Sequence, residues 1–323
     1  MNFARLPNPR GTGRVLAEAA KVNARSTTQN VNMTTRNRLQ AFGFLFLVSI
    51  LFWWHPLLAT LGLALGDDAY THILLILPLS ASLIYLDRDA LRSVRHGNIV
   101  AGLPVLVGAA VLGSVARWGH HVLSPDGQLS LALFALVTWW IGSVFLCFGL
   151  DAFRSLFLPL CFLFLLVPLP GFVLNEIVYF LQQQSAFAAR IFFLATGVPV
   201  TQNGIMLAIP GLDIEVAHEC SSIRSSMMLV IVSVFLAHLF LRPWWRKALL
   251  IAASLPLSIA KNGLRIFTIA VLSTRVDPGF LNGRLHHHGG IVFFGISVVA
   301  LTALLILLRR TEPRTPLEFS KAI

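Results

Sequence analysis

Residues 174–196 read LNEIVYFLQQQSAFAARIFFLAT, and whether this run crosses a membrane decides the fold. It is long and apolar enough to resemble a span, yet Glu176, Gln183 and Arg190 recur every seven residues. On a helix that spacing makes one slowly drifting polar stripe. An amphipathic helix lying in an interface fits such a stripe better than a helix surrounded by lipid. The rival reading is a ninth span with its stripe turned against protein.

The rest of the chain shows why this one run matters. Of 323 residues, 56% are hydrophobic and only 12% are charged, about half the charged share of soluble domains. Apolar runs fall at 41–65, 70–87, 98–117, 128–149, 153–169, 174–196, 219–241, 247–271 and 289–308. Several approach the roughly 20 residues that a bilayer requires. Charge then orients them. With the N-terminus inside, the first five runs leave the chain outside near PLPG (168–171). If 174–196 also crossed, the loop RPWWRK (242–247) and Arg309, Arg310 and Arg314 would all lie outside, against the positive-inside rule. If it does not cross, they all fall inside.

The expectation is therefore an all-α polytopic membrane protein. It has about eight transmembrane helices, one interfacial amphipathic helix, and both termini cytoplasmic. VPVTQNGIMLAIPGLDIEVA (198–217) carries Asn203–Gly204 and Pro210–Gly211 between β-prone runs, which predicts a small extracytoplasmic β-hairpin. The chain divides into a basic, disordered arm (1–40), a multispan membrane catalytic domain (41–310) and a cytoplasmic tail (311–323).

The net charge of +11 does not call for nucleic acid. Arg5, Arg10, Arg14, Lys21, Arg25, Arg36 and Arg38 face the single acid Glu18 before residue 41, and the other basic residues sit at the ends of apolar runs. A basic RNA-binding arm is the competing reading. The distribution is that of an inner membrane protein, so the expected partner is the lipid bilayer and no nucleic acid. The first apolar run begins only near residue 41, which predicts no cleavable signal peptide. Met33 is a second candidate start.

EVAHECSSIRSS (215–226) opens the apolar run 219–241 at its outer end. Cys220 sits in the first turn of that helix, where the dipole favours a thiolate, and Arg224 follows at i+4. The bland reading is a buried, inert thiol, which fits Cys147 and Cys161 within their apolar runs. LPLSIAKNGLRIFTIAVL (255–272) runs outward and places Ser258, Asn262 and Arg265 on one helical face. Arg265 then lies four to six residues from the outer end of the run. Lys261 should leave this face and snorkel, while Pro256 should kink the helix. LHHHGGIVFF (285–294) starts the last span and brings His286, His287 and His288 to the same outer level. A metal site built on these histidines and Cys220 is a rival reading. Three consecutive histidines point in three directions on a helix, which favours one working histidine and no metal or other cofactor. His218, Glu219, His120 and His121 are second-rank candidates.

At these residues the sequence resembles the exosortase/archaeosortase family of membrane-embedded cysteine transpeptidases. The similarity runs from about residue 70 to 305. It includes VPLPGFVLNEIVYFLQQQSAFAARIFFLATGVPVTQNG, HECSSIRSS, KNGLRI and LHHHGGIVFF. The family's A-C-S-G-(L/I)-R motif is matched by Cys220, Ser221, Ile223 and Arg224, with Ser222 in place of the glycine and Glu219 in place of the alanine. Its N-x-x-R motif falls on Asn262 and Arg265. Its third residue, a histidine four before a glycine, falls on His286 with Gly290, and His287 is the second choice.

The resemblance implies an enzyme that recognises a C-terminal sorting signal on exported proteins: a short motif, a transmembrane helix and a basic tail, as in PEP-CTERM proteins. Such an enzyme cleaves near the motif and passes the new carboxyl to an acceptor, here unidentified. Cys220 would form an acyl-thioester. Arg265 carries either the proton donation assigned by analogy with sortases or, since guanidinium barely deprotonates, the developing oxyanion. His286 suits proton transfer. Arg224, Asn262, Ser221, Glu219 and Ser258 support them. A function of another class is a multispan transporter, or a metal-binding protein, using intramembrane Arg265 and Lys261 or the run His286–His288. The transporter reading would be supported by inverted repeats, and none is visible.

Overall fold

The computed structural model describes residues 36–88, 97–119, 121–216, 223–277, 279 and 290–311. Cys220, Ser221, Glu219, His218, His120 and the run His286–His288 lie outside the described residues. The described chain is helical apart from one small sheet. In chain order it forms α1 (Arg36–Phe52), α2 (Trp54–Gly66), α3 (Ile73–Leu86), α4 (Ile99–Trp118), α5 (Pro125–Ser155), α6 (Phe157–Phe162) and α7 (Gly171–Ala195). Strands β1 (Thr201–Asn203), β2 (Met206–Ile209) and β3 (Leu212–Glu215) follow, and then α8 (Ile223–Phe240), α9 (Trp244–Arg275) and α10 (Gly290–Arg310).

Among the described residues, α4, α5, α8, α9 and α10 are each long and apolar enough to cross a membrane. Two bent pairs raise the number to as many as seven if each pair makes one span. The protein is thus an all-α polytopic membrane protein. Its expected first, second and fifth spans differ from straight full-length helices. α1 and α2 meet at 71°. Pro56 in the first turn of α2 cannot donate to the Phe52 carbonyl, and its ring crowds that group. α3 is apolar but only 14 residues long. α5 contains a break at Gly149, whose φ of 77° and ψ of −175° are non-helical, where the expected run 128–149 ends. Past α6 and a short 3-10 turn, residues 157–166 meet α7 at 102°. Pro168 and Pro170 occupy the corner, so the helix cannot run through it. α7 therefore sets off in a new direction.

Three clusters of buried side chains hold the described elements together. The larger core joins α2, α3, α5 and α6 through Trp53, Ile76, Leu133, Leu136, Trp140 and Leu160. Trp140 Nε1 donates to Ser49 Oγ at 2.9 Å, which satisfies the one polar atom of that buried ring. α8, α9 and α10 pack through Leu229, Ala237, Leu250, Leu301 and Leu305.

Between α7 and α8 the expected hairpin is a three-stranded antiparallel meander, ordered β1-β2-β3. Thr201 pairs with Ala208, and Leu207 with Ile214. Gly204 (φ 60°) and Gly211 (φ 83°) turn the chain between the strands, in a conformation that favours glycine. Alternate residues Leu207 and Ile209 of β2 are buried against Ala186, Ala189 and Phe193 of α7 and Ile266 and Ala270 of α9.

Candidate functional site

α9 is the spine of the site. Its 32 residues include Pro256 without a break, and it packs against α7, α8 and α10. It continues to Arg275, ten residues past Arg265, or about 15 Å at 1.5 Å per residue. That is longer than the apolar run alone implied. Just before the added residues, Ile266 and Ala270 lie beneath Leu207 and Ile209 of the sheet.

Gly263, inside the KNGLRI stretch, sets how closely α7 approaches. A Cβ on it would lie 2.5 Å from the Ala188 Cβ and 2.8 Å from the Ala189 amide nitrogen, so no other residue fits. At this crossing Asn262 Nδ2 donates to Ser185 Oγ at 2.9 Å, both side chains being buried. One turn earlier on α9, Ser258 Oγ lies 2.6 Å from Ser226 Oγ on α8. Lys261 Nζ donates to Ser225 Oγ. Three helices are thus stitched together by a polar layer in an otherwise apolar interior. Buried polar groups persist only when paired, so the layer fixes the register of α7 and α8 against α9.

Arg265 is half-buried, one turn further along α9 from Lys261. Arg224 is exposed, whereas the next two residues, Ser225 and Ser226, face α9. Lys261 departs from expectation: it is 6% exposed and points into the layer rather than snorkelling away. On that side α8 packs against α9 and supplies Ser225. Ser185, Ser225, Ser226 and Gln182 were not singled out from the sequence. Ser225 and Ser226 stand in the quoted motif, and their offset from Cys220 was the available signal.

The described residues on either side of 217–222 are both buried. Before it, Val216 is buried, and its carbonyl accepts from Gln182 Nε2 of α7 at 2.7 Å. After it, buried Ile223 starts α8. Between α7 and the β1–β2 turn lies a groove of about 460 Å³ lined by Gln183, Gln184, Phe187, Arg190, Gln202 and Gly204.

The other two cysteines sit away from this layer. Cys147 is buried in the larger core, and Cys161 is half-buried on α6. Among the described residues, no three His, Cys, Asp or Glu side chains are grouped to hold a metal ion; the histidine run is outside that set.

Fold and site together define a multi-pass membrane protein with a polar layer where three helices and a small sheet meet. The family model for transmembrane exosortases matches residues 53–303, so the chain belongs to the exosortase family. No curated protein and no solved structure matches it.

Proposed function

We propose that the protein is a cysteine peptidase and transpeptidase that cleaves C-terminal sorting signals from exported proteins. The substrate carries a short motif, a transmembrane helix and a basic tail. The observation that carries this reading is the way α9 meets α8. Asn262 and Ser258 of the Arg265 helix are buried against α7 and against the first turns of α8, and those turns follow Cys220 directly in the chain.

The Cys220 thiolate attacks the scissile carbonyl carbon, and the electron pair moves to the carbonyl oxygen. Arg265, with two parallel N–H groups, stabilises that oxyanion. Collapse of the intermediate breaks the C–N bond, and the departing amine takes a proton from His286, or from His287 in its place. The acyl-thioester on Cys220 is then attacked by an acceptor nucleophile, which gives its proton to the histidine, and the thiolate is released. Asn262 and Ser258 position Arg265. Arg224, Ser221 and Glu219 act beside the thiol. No cofactor takes part. The basic ends of α9 and α10 lie in the cytoplasm and the site opens on the outer face of the inner membrane. The arm 1–40 and the tail 311–323 flank the catalytic domain on the cytoplasmic side.

The test is cleavage of a tailed protein from the same genome, co-expressed with this chain. Wild type should release the tail. Cys220→Ala and Cys220→Ser should leave the substrate intact while the enzyme still accumulates in membranes. Processing by either variant would remove the thioester from the mechanism.

A further inference from the structure

The groove between α7 and the β1–β2 turn has no part in acyl transfer, yet it lies beside the chain that leads to the thiol. Gln182 Nε2 of α7 donates to the Val216 carbonyl at 2.7 Å, and the Val216 amide donates to the Ile205 carbonyl at 3.1 Å. Gln183 and Gly204, the sequence neighbours of those two residues, line the groove. Cys220 follows Val216 by four positions, so its Cα is within about 14 Å of that of Val216.

The lining has a definite chemistry. Gln183 Nε2 donates to Tyr179 Oη at 3.1 Å, and Gln202 Nε2 donates to the Gly204 carbonyl at 3.0 Å. With its nitrogen held, each amide offers its Oε1 as an acceptor. Arg190 is exposed on α7 and is the one charged residue among the described lining residues. Phe187, 50% exposed, adds an apolar ring. Amide oxygens match the N–H groups of an extended peptide and oppose a phosphate, whose oxygens only accept. A carboxylate side chain on that peptide complements the guanidinium.

We infer that this groove is a specificity subsite for an extended peptide segment bearing a carboxylate side chain, which Arg190 holds while Gln183 and Gln202 accept from the peptide backbone. The identity of the natural peptide rests on the proposed function: it is the short motif of the tailed substrate, held a short stretch of chain from the bond that Cys220 attacks. Arg190, Gln183 and Gln202 select the substrate and touch no reacting atom.

Binding without turnover tests this. Full-length Cys220→Ala protein in phosphatidylcholine nanodiscs is titrated against two amidated, rhodamine-labelled peptides, Gly-Ala-Glu-Ala-Gly and Gly-Ala-Gln-Ala-Gly, and fluorescence anisotropy is read at constant ionic strength. The glutamate peptide should bind about three- to fivefold more tightly, the size of an exposed ion pair. Arg190→Gln should make the two peptides bind alike, and Arg190→Lys should keep most of the preference. Gln202→Ala should weaken both peptides equally, and Arg154→Gln, at the exposed end of α5, should change neither. Glycerol phosphate, which stands in for a lipid headgroup, should displace the glutamate peptide no better than acetate does. Failure of both peptides to bind, equal binding of the two, or an undiminished preference in Arg190→Gln overturns the subsite. Stronger displacement by glycerol phosphate assigns the groove to a lipid and overturns it too. With the tailed substrate, Arg190→Gln should raise KM by a similar factor and leave kcat unchanged; a fall in kcat alone overturns the motif assignment. The subsite and the enzyme fail separately. Glutamate preference in a protein that cleaves no tailed substrate removes the enzyme reading alone, and cleavage without the preference removes the subsite alone.

Discussion

His238 Nε2 lies 3.0 Å from Asp87 Oδ2, joining the last turn of α8 to the residue that ends α3. If these two groups lie at one membrane face and α4, α5 and α8 each cross, an even count between them requires the bent pair of α6 and α7 to supply one crossing and not two. A second contact extends the same face. Arg246, near the start of α9, donates to the Leu308 carbonyl at 2.7 Å and the Thr311 carbonyl at 2.8 Å, closing the end of α10. Asp87, His238, Arg246 and Thr311 thus share one end of the bundle, and the sheet lies at the other end of α9.

This parity makes a prediction about topology. A reporter inserted at the Gly204 turn should lie on the opposite side of the membrane from one inserted at 243–246, with the basic loop in the cytoplasm. Paired fusions to a periplasmic and a cytoplasmic reporter measure it. Finding the Gly204 insertion in the cytoplasm and the 243–246 insertion outside would mean that α7 crosses by itself, and the shared end of α3 and α8 would then be wrong.

The cysteines give a second prediction. A membrane-impermeant maleimide applied from outside at neutral pH should label Cys220. It should not label Cys147, which is packed in the core, or Cys161 on α6. Cys147→Ala should cost about 1–2 kcal/mol of stability, for a small buried side chain and the cavity it leaves, with cleavage retained. Mass spectrometry of the labelled protein decides the first part, and thermal unfolding in detergent the second. Labelling at Cys147 would contradict its burial.

Gly263 carries the third prediction. Gly263→Val must push α7 away from α9, since even a Cβ would come within 2.5 Å of Ala188. Overpacking of this kind costs about 1–3 kcal/mol, and the shift should also break the Asn262–Ser185 bond. Asn262→Ala and Ser185→Ala should each weaken cleavage in the native background. In the Gly263→Val background the two losses should shrink, because the bond is already broken. A double-mutant cycle on cleavage rate reads the coupling. Undiminished effects of Asn262→Ala after Gly263→Val would show that the glycine does not set this contact.

Much of this arrangement is legible in the sequence, for identifiable reasons. Asn203–Gly204 and Pro210–Gly211 mark the two turns of the sheet because their glycines adopt positive φ. Ser258 and Asn262 fall on a buried face because helical spacing alone puts them there. Other features depend on neighbours that a helical wheel does not contain. Lys261 is expected from its angle to leave the site face and snorkel, yet α8 packs against α9 and its Ser225 accepts from the ammonium. The third strand, Leu212–Glu215, needed β2 beside it to become a strand. The bend after Phe52 was signalled by Pro56, which a count of apolar residues passes over.

Arg265 carries the last prediction, and its two assigned roles part there. Arg265→Lys keeps a positive charge and supplies a better acid, since an ammonium titrates near pH 10 and a guanidinium above about 12. It loses the planar fork that holds one oxygen through two parallel hydrogen bonds. If Arg265 donates a proton to the leaving group, lysine should retain much of the acylation rate. If it stabilises the oxyanion, lysine should lose roughly 10²–10³-fold, the usual cost of removing one oxyanion donor. The surroundings favour the second outcome. Asn262, three residues earlier, is pinned to Ser185, and Ile266, the next residue, is buried beneath the sheet. The backbone that presents the guanidinium is therefore held in place, as an oxyanion donor requires, and a guanidinium barely deprotonates. The expected result is the large loss, with acyl-enzyme on Cys220 still forming but slowly. Single-turnover acylation, followed by mass spectrometry of the thioester, measures it. Acylation by Arg265→Lys within about threefold of wild type, far short of the oxyanion-donor range, would return the proton to Arg265.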